Sequence, residues 1–242
     1  MESPNYENYF SAITQKLEFL HSDRCRFKDD TARVYESLFK EMQRDSDFGA
    51  EMEATVSQSD WAALHGIFYH LHKIESLPFN RDSYSIMRSV LAALSCGNIG
   101  DAQKILPCGY PESKGHYPMY DHAANMLLCI FYGADDAASY PVQKLIADAE
   151  KFTSSKKPVY DRMMVESLLA VFQHDAARLS ASLAHLCGGV FKTELSESQK
   201  MQAREAYAIL FLAKRMWAKG EFAKITFPDS RNFSAGYIEW QI

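Results

Sequence analysis

The chain of 242 residues lacks any membrane-length apolar run. The longest, Ala206 to Ala213, is far short of the roughly 18 residues a spanning helix needs. A basic excess is also missing: 26 Lys and Arg stand against 31 Asp and Glu, a formal net charge of −5. With neither a basic stripe nor a polybasic tail, nucleic-acid and anionic-membrane partners are not expected. Near its start the chain carries Glu2, Pro4, Asn5 and Glu7 instead of the basic patch and apolar stretch of a secretory signal, so a soluble, cytoplasmic protein is expected. The five cysteines, Cys25, Cys96, Cys108, Cys129 and Cys187, are odd in number and never in C-x-x-C spacing. Cys96, Cys129 and Cys187 fall in apolar helical stretches, where a free thiol acts as a small buried hydrophobe.

What is there is helical periodicity. Tyr6, Tyr9, Phe10, Ile13, Leu17 and Leu20 recur at steps of three and four, which places them on one helix face. A second helix is expected from Asp30 or Thr31, with Val34, Tyr35, Leu38, Phe39 and Met42 as its apolar side. A third covers Ser59 to Ile74, capped by Ser59 or Asp60, and a fourth starts at Asp82 or Ser83 and carries Ile86, Met87, Val90, Leu91 and Leu94. Three times an apolar helix end leads through a turn to an aspartate and a new helix: at Gly100-Asp101-Ala102, at Gly133-Ala134-Asp135 and at His174-Asp175-Ala176. These aspartates stand 34 and then 40 residues apart, the period of helical hairpins that hide their apolar faces against their neighbours.

The segment Pro107 to Pro118, with three prolines and two glycines, is expected to be a loop. A last long helix is expected from about Ser196 to Lys219, opened by a cap at Ser196 and stopped by Gly220. From Lys224 to Ile242 the chain is aromatic and β-branched without helical spacing, and reads as a short extended tail. No stretch reads as an interdomain linker. The expectation is one all-α domain over residues 1–242, a layered bundle of stacked α-α hairpins.

Reactive constellations are scarce. His65, His70 and His72 share one expected helix, but His65 and His72 are two turns, about 10.5 Å, apart and His70 points elsewhere. The single Glu-x-x-His, Glu18 to His21, is half of what a dimetal bundle requires. No G-x-S-x-G elbow or glycine-rich phosphate loop occurs, and Ser37-x-x-Lys40 reads as two solvated residues of an amphipathic helix. His185 and Cys187 point about 200° apart on a helix. Neither catalysis nor a metal nor another cofactor is therefore expected. Contacts are the alternative. Asp135 and Asp136 read as helix caps or as a partner-facing acidic patch. Phe227, Phe233, Tyr237 and Trp240 read as tail packing or as an interface anchor. Arg88, on an otherwise apolar face, reads as a structural guanidinium seeking a carboxylate or carbonyls.

Arg88-Ser-Val-Leu-Ala-Ala-Leu with Gly100-Asp101-Ala102, Leu168 to Phe172 with His174-Asp175, and Glu205 to Ala213 running to Lys219-Gly220 resemble the helical immunity proteins of family 49 in bacterial polymorphic toxin systems. The resemblance spans about residues 80 to 242 and leaves the first 75 unmatched, and a histidine precedes Asp175 where the pattern has glycine. It implies an all-α, non-catalytic protein that binds and neutralises a cognate toxin, and it matches the family's most regular polar residue to Arg88. The partner-facing residues would be Asp135, Asp136, Asp175, Tyr237 and Trp240, with Arg88 and Asp101 in structural polar roles. The competing expectation is a helical-repeat adaptor or scaffold that binds a protein or peptide.

Overall fold

A computed structural model describes residues 46–75, 83–107, 117–133 and 141–240. The two expected helices before residue 45 and most of the 107–118 loop lie outside these residues, as do Asp135, Asp136, Cys25 and Cys108. All regular structure among the described residues is helical. The elements are α1 (Ser46–Ser57), α2 (Trp61–Glu75), α3 (Ser83–Ser95), α4 (Ile99–Ile105), α5 (Pro118–Tyr132), α6 (Val142–Thr153), α7 (Val159–Gln173) and α8 (Ala176–Gly189). A 3-10 turn (Val190–Lys192) leads to α9 (Glu197–Met201), α10 (Arg204–Met216), α11 (Lys219–Phe222) and α12 (Ala235–Trp240).

Three helix-to-helix corners share one construction. At Ser59-Asp60, Gly97-Asn98 and His174-Asp175 the first residue has positive φ (56°, 75° and 55°). The second closes a six-residue ring: the N–H groups of Asp60, Asn98 and Asp175 donate to the carbonyls of Thr55, Ala93 and Ala170. Its side chain then caps the next helix, accepting from the N–H of Ala63, Asp101 and Arg178 respectively at 2.9–3.1 Å. The cap equivalent to Asp175 is thus Asn98, three residues before the expected Asp101. Asp60 and Asn98 are 38 residues apart, and Asn98 and Asp175 are 77 apart, about twice that.

Packing follows from which faces are apolar. Helix α3 packs on α2, α4, α5 and α10, and α7 packs on α5, α6, α8 and α10. The Tyr132 hydroxyl ties the end of α5 to the carbonyls of Gln103 and Leu106 at the end of α4. In α10 every residue from Ala206 to Ala213 is buried, as a helix that is apolar on all sides must be. Trp217, just past its end, donates Nε1–H to the Val171 carbonyl of α7 at 2.9 Å. Cys96, Cys129 and Cys187 are free and buried, and burial pushes the last two thiols up to about 11 and about 12.

Three expectations for the C-terminal third need correction. The single helix from Ser196 to Lys219 is two: Ser196 does form the capping box of α9, but the chain turns at Ala203, whose φ of 43° is left-handed, and α10 restarts at Arg204. Gly220 lies inside α11 rather than stopping a helix. The tail is irregular only to residue 234, after which residues 235–240 form α12.

Candidate interaction surface

Two elements assemble an exposed aromatic group among the described residues. Helix α2 carries His65 and Tyr69 one turn apart on one face, with ring centroids 6.4 Å apart and nearly parallel. Helix α12 brings Trp240 to 5.8 Å from His65. Tyr69 and Trp240 remain 43% and 47% exposed, large for side chains of this type.

The patch stands on a fixed base. Tyr237 lies under Trp240 with rings 17° from parallel, and is itself fully buried. Its hydroxyl donates to the Ser95 carbonyl, which leaves its lone pairs to accept from His65 Nδ1 at 3.4 Å. Below, Tyr237 meets Phe68, Tyr207 and Phe211 at centroid distances of 5.0–5.7 Å. Lys214 of α10 donates Nζ–H to the Ile238 carbonyl at 2.7 Å. Close approach is possible because position 236 is glycine: a Cβ there would stand 2.6 Å from Cζ2 of Trp61. Partial burial holds the His65 imidazole below its usual pKa of 6.5, so it is neutral at pH 7.

A second polar group of residues gathers where α3, α5, α7 and α10 begin. Tyr84 packs 5.2 Å from both Tyr117 and Tyr120, and Arg88 lies over the Tyr84 ring and donates to its hydroxyl at 3.2 Å. Deeper in, Tyr160 hydrogen-bonds Glu205, whose carboxylate is 3.7 Å from the Arg204 guanidinium. Burial raises the Tyr120 and Tyr160 hydroxyls well above the ordinary tyrosine range. The adjoining cavity, bordered by Tyr160, Glu205 and Asn232, holds about 10 Å³, room for one water and not for a substrate. These ionisable groups fill the space they share.

The residues singled out from sequence scatter. Trp240 is exposed in the aromatic patch. Tyr237 is not partner-facing: with no exposed surface and its hydroxyl bonded inside, it is a core residue. Asp175 is exposed but serves as the α8 cap. Arg88 lies over the Tyr84 ring and donates to its hydroxyl. Asp101 accepts from Asn98 at 2.7 Å, Lys104 at 3.2 Å and the buried His72 at 3.1 Å, and the His72 bond foremost holds its carboxyl below 3.8. His185 is exposed and Cys187 buried, consistent with their opposed directions. The sequence reading missed His65 and Tyr69 as a surface pair, although their spacing of four was legible.

Among the described residues, no group of three or more His, Cys, Asp or Glu is placed to hold a metal ion, and no helix is long and apolar enough to cross a membrane. Comparisons with protein-family models, curated proteins and solved structures return no match for this chain.

Proposed function

We propose that this protein is a non-catalytic immunity protein that binds and neutralises a cognate bacterial toxin in the cytoplasm. Its body is read as a stack of α-α hairpins, a reading supported by the three corners of identical construction at Asp60, Asn98 and Asp175. The single observation that carries the function is the patch of His65, Tyr69 and Trp240, held on a buried aromatic base. Tryptophan and tyrosine dominate binding energy when a rigid support spares them ordering entropy. A net charge of −5 favours encounter with a basic toxin over one of like charge.

The test is co-expression with the toxin encoded beside this gene. Growth should be restored by the wild-type protein and lost with Trp240→Ala. Cells equally sensitive with and without the protein would end this reading.

One observation favours the adaptor reading instead. A shallow, open surface along α8 is lined by Ala177, Ala181 and Ala184 together with Lys224, Phe227 and Asp229. A partner released by Ala181→Arg but not by Trp240→Ala would support a peptide-binding adaptor.

A further inference from the structure

Several parts of the fold meet at the small cavity beside Tyr160. Its wall includes Tyr160 of α7, Cys187 of α8, Gln199 of α9, Glu205 of α10 and Asn232 of the segment between α11 and α12, together with Ala203 at the left-handed corner. At about 10 Å³ it accepts one molecule the size of water. The wall is partly polar, so an apolar occupant would leave polar atoms unpaired.

Charge narrows the occupant further. The Glu205 carboxylate is balanced by the Arg204 guanidinium at 3.7 Å. Burial pushes the Cys187 thiol up to about 12 and the Tyr160 hydroxyl well above its ordinary range, so both keep their protons at pH 7. The charges beside the cavity therefore cancel, which selects a neutral occupant over an ion. Its acceptors are in surplus. Tyr160 gives its proton to Glu205 and keeps its lone pairs, the carboxylate has room beyond Tyr160 and Arg204, and Asn232 Oδ1 accepts from the Ser230 hydroxyl at 2.6 Å with a second lone pair to offer. Asn232 Nδ2 is already committed to the Lys200 carbonyl at 2.8 Å. Gln199 Oε1 accepts from the Ser196 N–H at 3.0 Å, so what Gln199 has to offer a ligand is its NH2 donor.

We propose that one water molecule is a fixed part of this joint, donating to Glu205 and to Asn232 Oδ1 and so bridging α10 to the segment that leads into α12. Two residues beyond Asn232, the Ser234 N–H donates to the Tyr207 hydroxyl of α10 at 2.8 Å. The water and this bond together set where α12 begins. The proposal stands whether or not the aromatic patch binds a toxin.

High-resolution crystals of the full-length protein, grown in sodium chloride and in rubidium chloride, test it. The expected result is a single peak of density about 2.5–3.0 Å from a Glu205 carboxylate oxygen and from Asn232 Oδ1, without rubidium anomalous signal. No peak would show a dry cavity and overturn the proposal, and a rubidium signal there would overturn it in favour of a cation. Both outcomes are read in the wild type, independently of whether any variant folds. In solution, Glu205→Ala and Asn232→Ala should be coupled through the shared water, the pair lowering the melting temperature by less than the sum of the single losses, with a shortfall of about 2 °C or more. Strictly additive losses would mean that the two side chains share no partner and would contradict the bridge.

Discussion

The hydroxyl of Tyr237, in the last helix, donates to the carbonyl oxygen of Ser95 at 3.1 Å, across a sequence separation of 142 residues. This bond fastens α12 to the end of α3 and sets the height at which Trp240 meets the surface. Tyr237→Phe keeps the ring and removes the hydroxyl, and with it both this bond and the longer one accepted from His65 Nδ1. A buried hydrogen bond of this kind contributes about 1–2 kcal/mol, so calorimetry should show a melting temperature lower by about 2–8 °C. An unchanged melting temperature would mean that ring packing alone positions the helix.

Gly236 tests the same joint from its other side. With Trp61 Cζ2 at 2.6 Å and Cε2 at 2.9 Å from a modest added methyl, Gly236→Ala forces the indole to move. The expected loss is about 1–3 kcal/mol, with faster amide exchange over residues 235–240. Combined with Trp61→Leu, which makes room, the same substitution should cost less than it does alone. Equal losses in both backgrounds would place the strain elsewhere.

Asp60, Asn98 and Asp175 are expected to behave alike despite their scatter along the chain. Each accepts from the backbone three residues on, and replacement by alanine should cost about 0.5–2 kcal/mol in urea denaturation. Three neutral substitutions would remove the equivalence of the corners.

How much of this was legible in the sequence depended on length and on backbone sign. Helices α2 and α3 begin within two residues of where Asp60 and Ser83 placed them, because caps and long apolar stripes are local signals. The break at Ala203 was hidden because the residues on both sides are good helix formers and the left-handed turn uses alanine rather than glycine. Helix α12 has six residues, too few for a periodicity of 3.6 to declare itself. The repeating aspartates were visible, but Asp101 sits three residues into α4 and the cap is Asn98, so the register of the repeat required the backbone. Of the patch, Trp240 could be suspected from its type. Its pairing with His65 depends on Tyr237 and Gly236, contacts between distant parts of the chain that no local pattern encodes.

Acidification should loosen the protein in two stages. His65 has a folded pKa below its ordinary 6.5, so the unfolded chain takes up the proton first. Its stabilising contribution is complete above pH 6.5 and is lost as the pH falls through the lowered folded value. Asp101 has its carboxyl held below 3.8, so its contribution is complete above that value and disappears only in stronger acid. Denaturation midpoints between pH 7.5 and 4.5 should therefore decline in the wild type and less steeply in His65→Gln. Parallel declines would assign the upper stage to another group.

The central claim is that Trp240 and its neighbours form the contact surface of a stoichiometric inhibitor. Titration calorimetry of the purified protein with the toxin encoded beside it tests this most directly. The expected result is a one-to-one complex whose Kd rises by about 30-fold or more in Trp240→Ala, the loss typical of a central aromatic anchor, while the melting temperature of the free protein changes little. No detectable binding, or a Trp240→Ala variant that binds as tightly as the wild type, would contradict it.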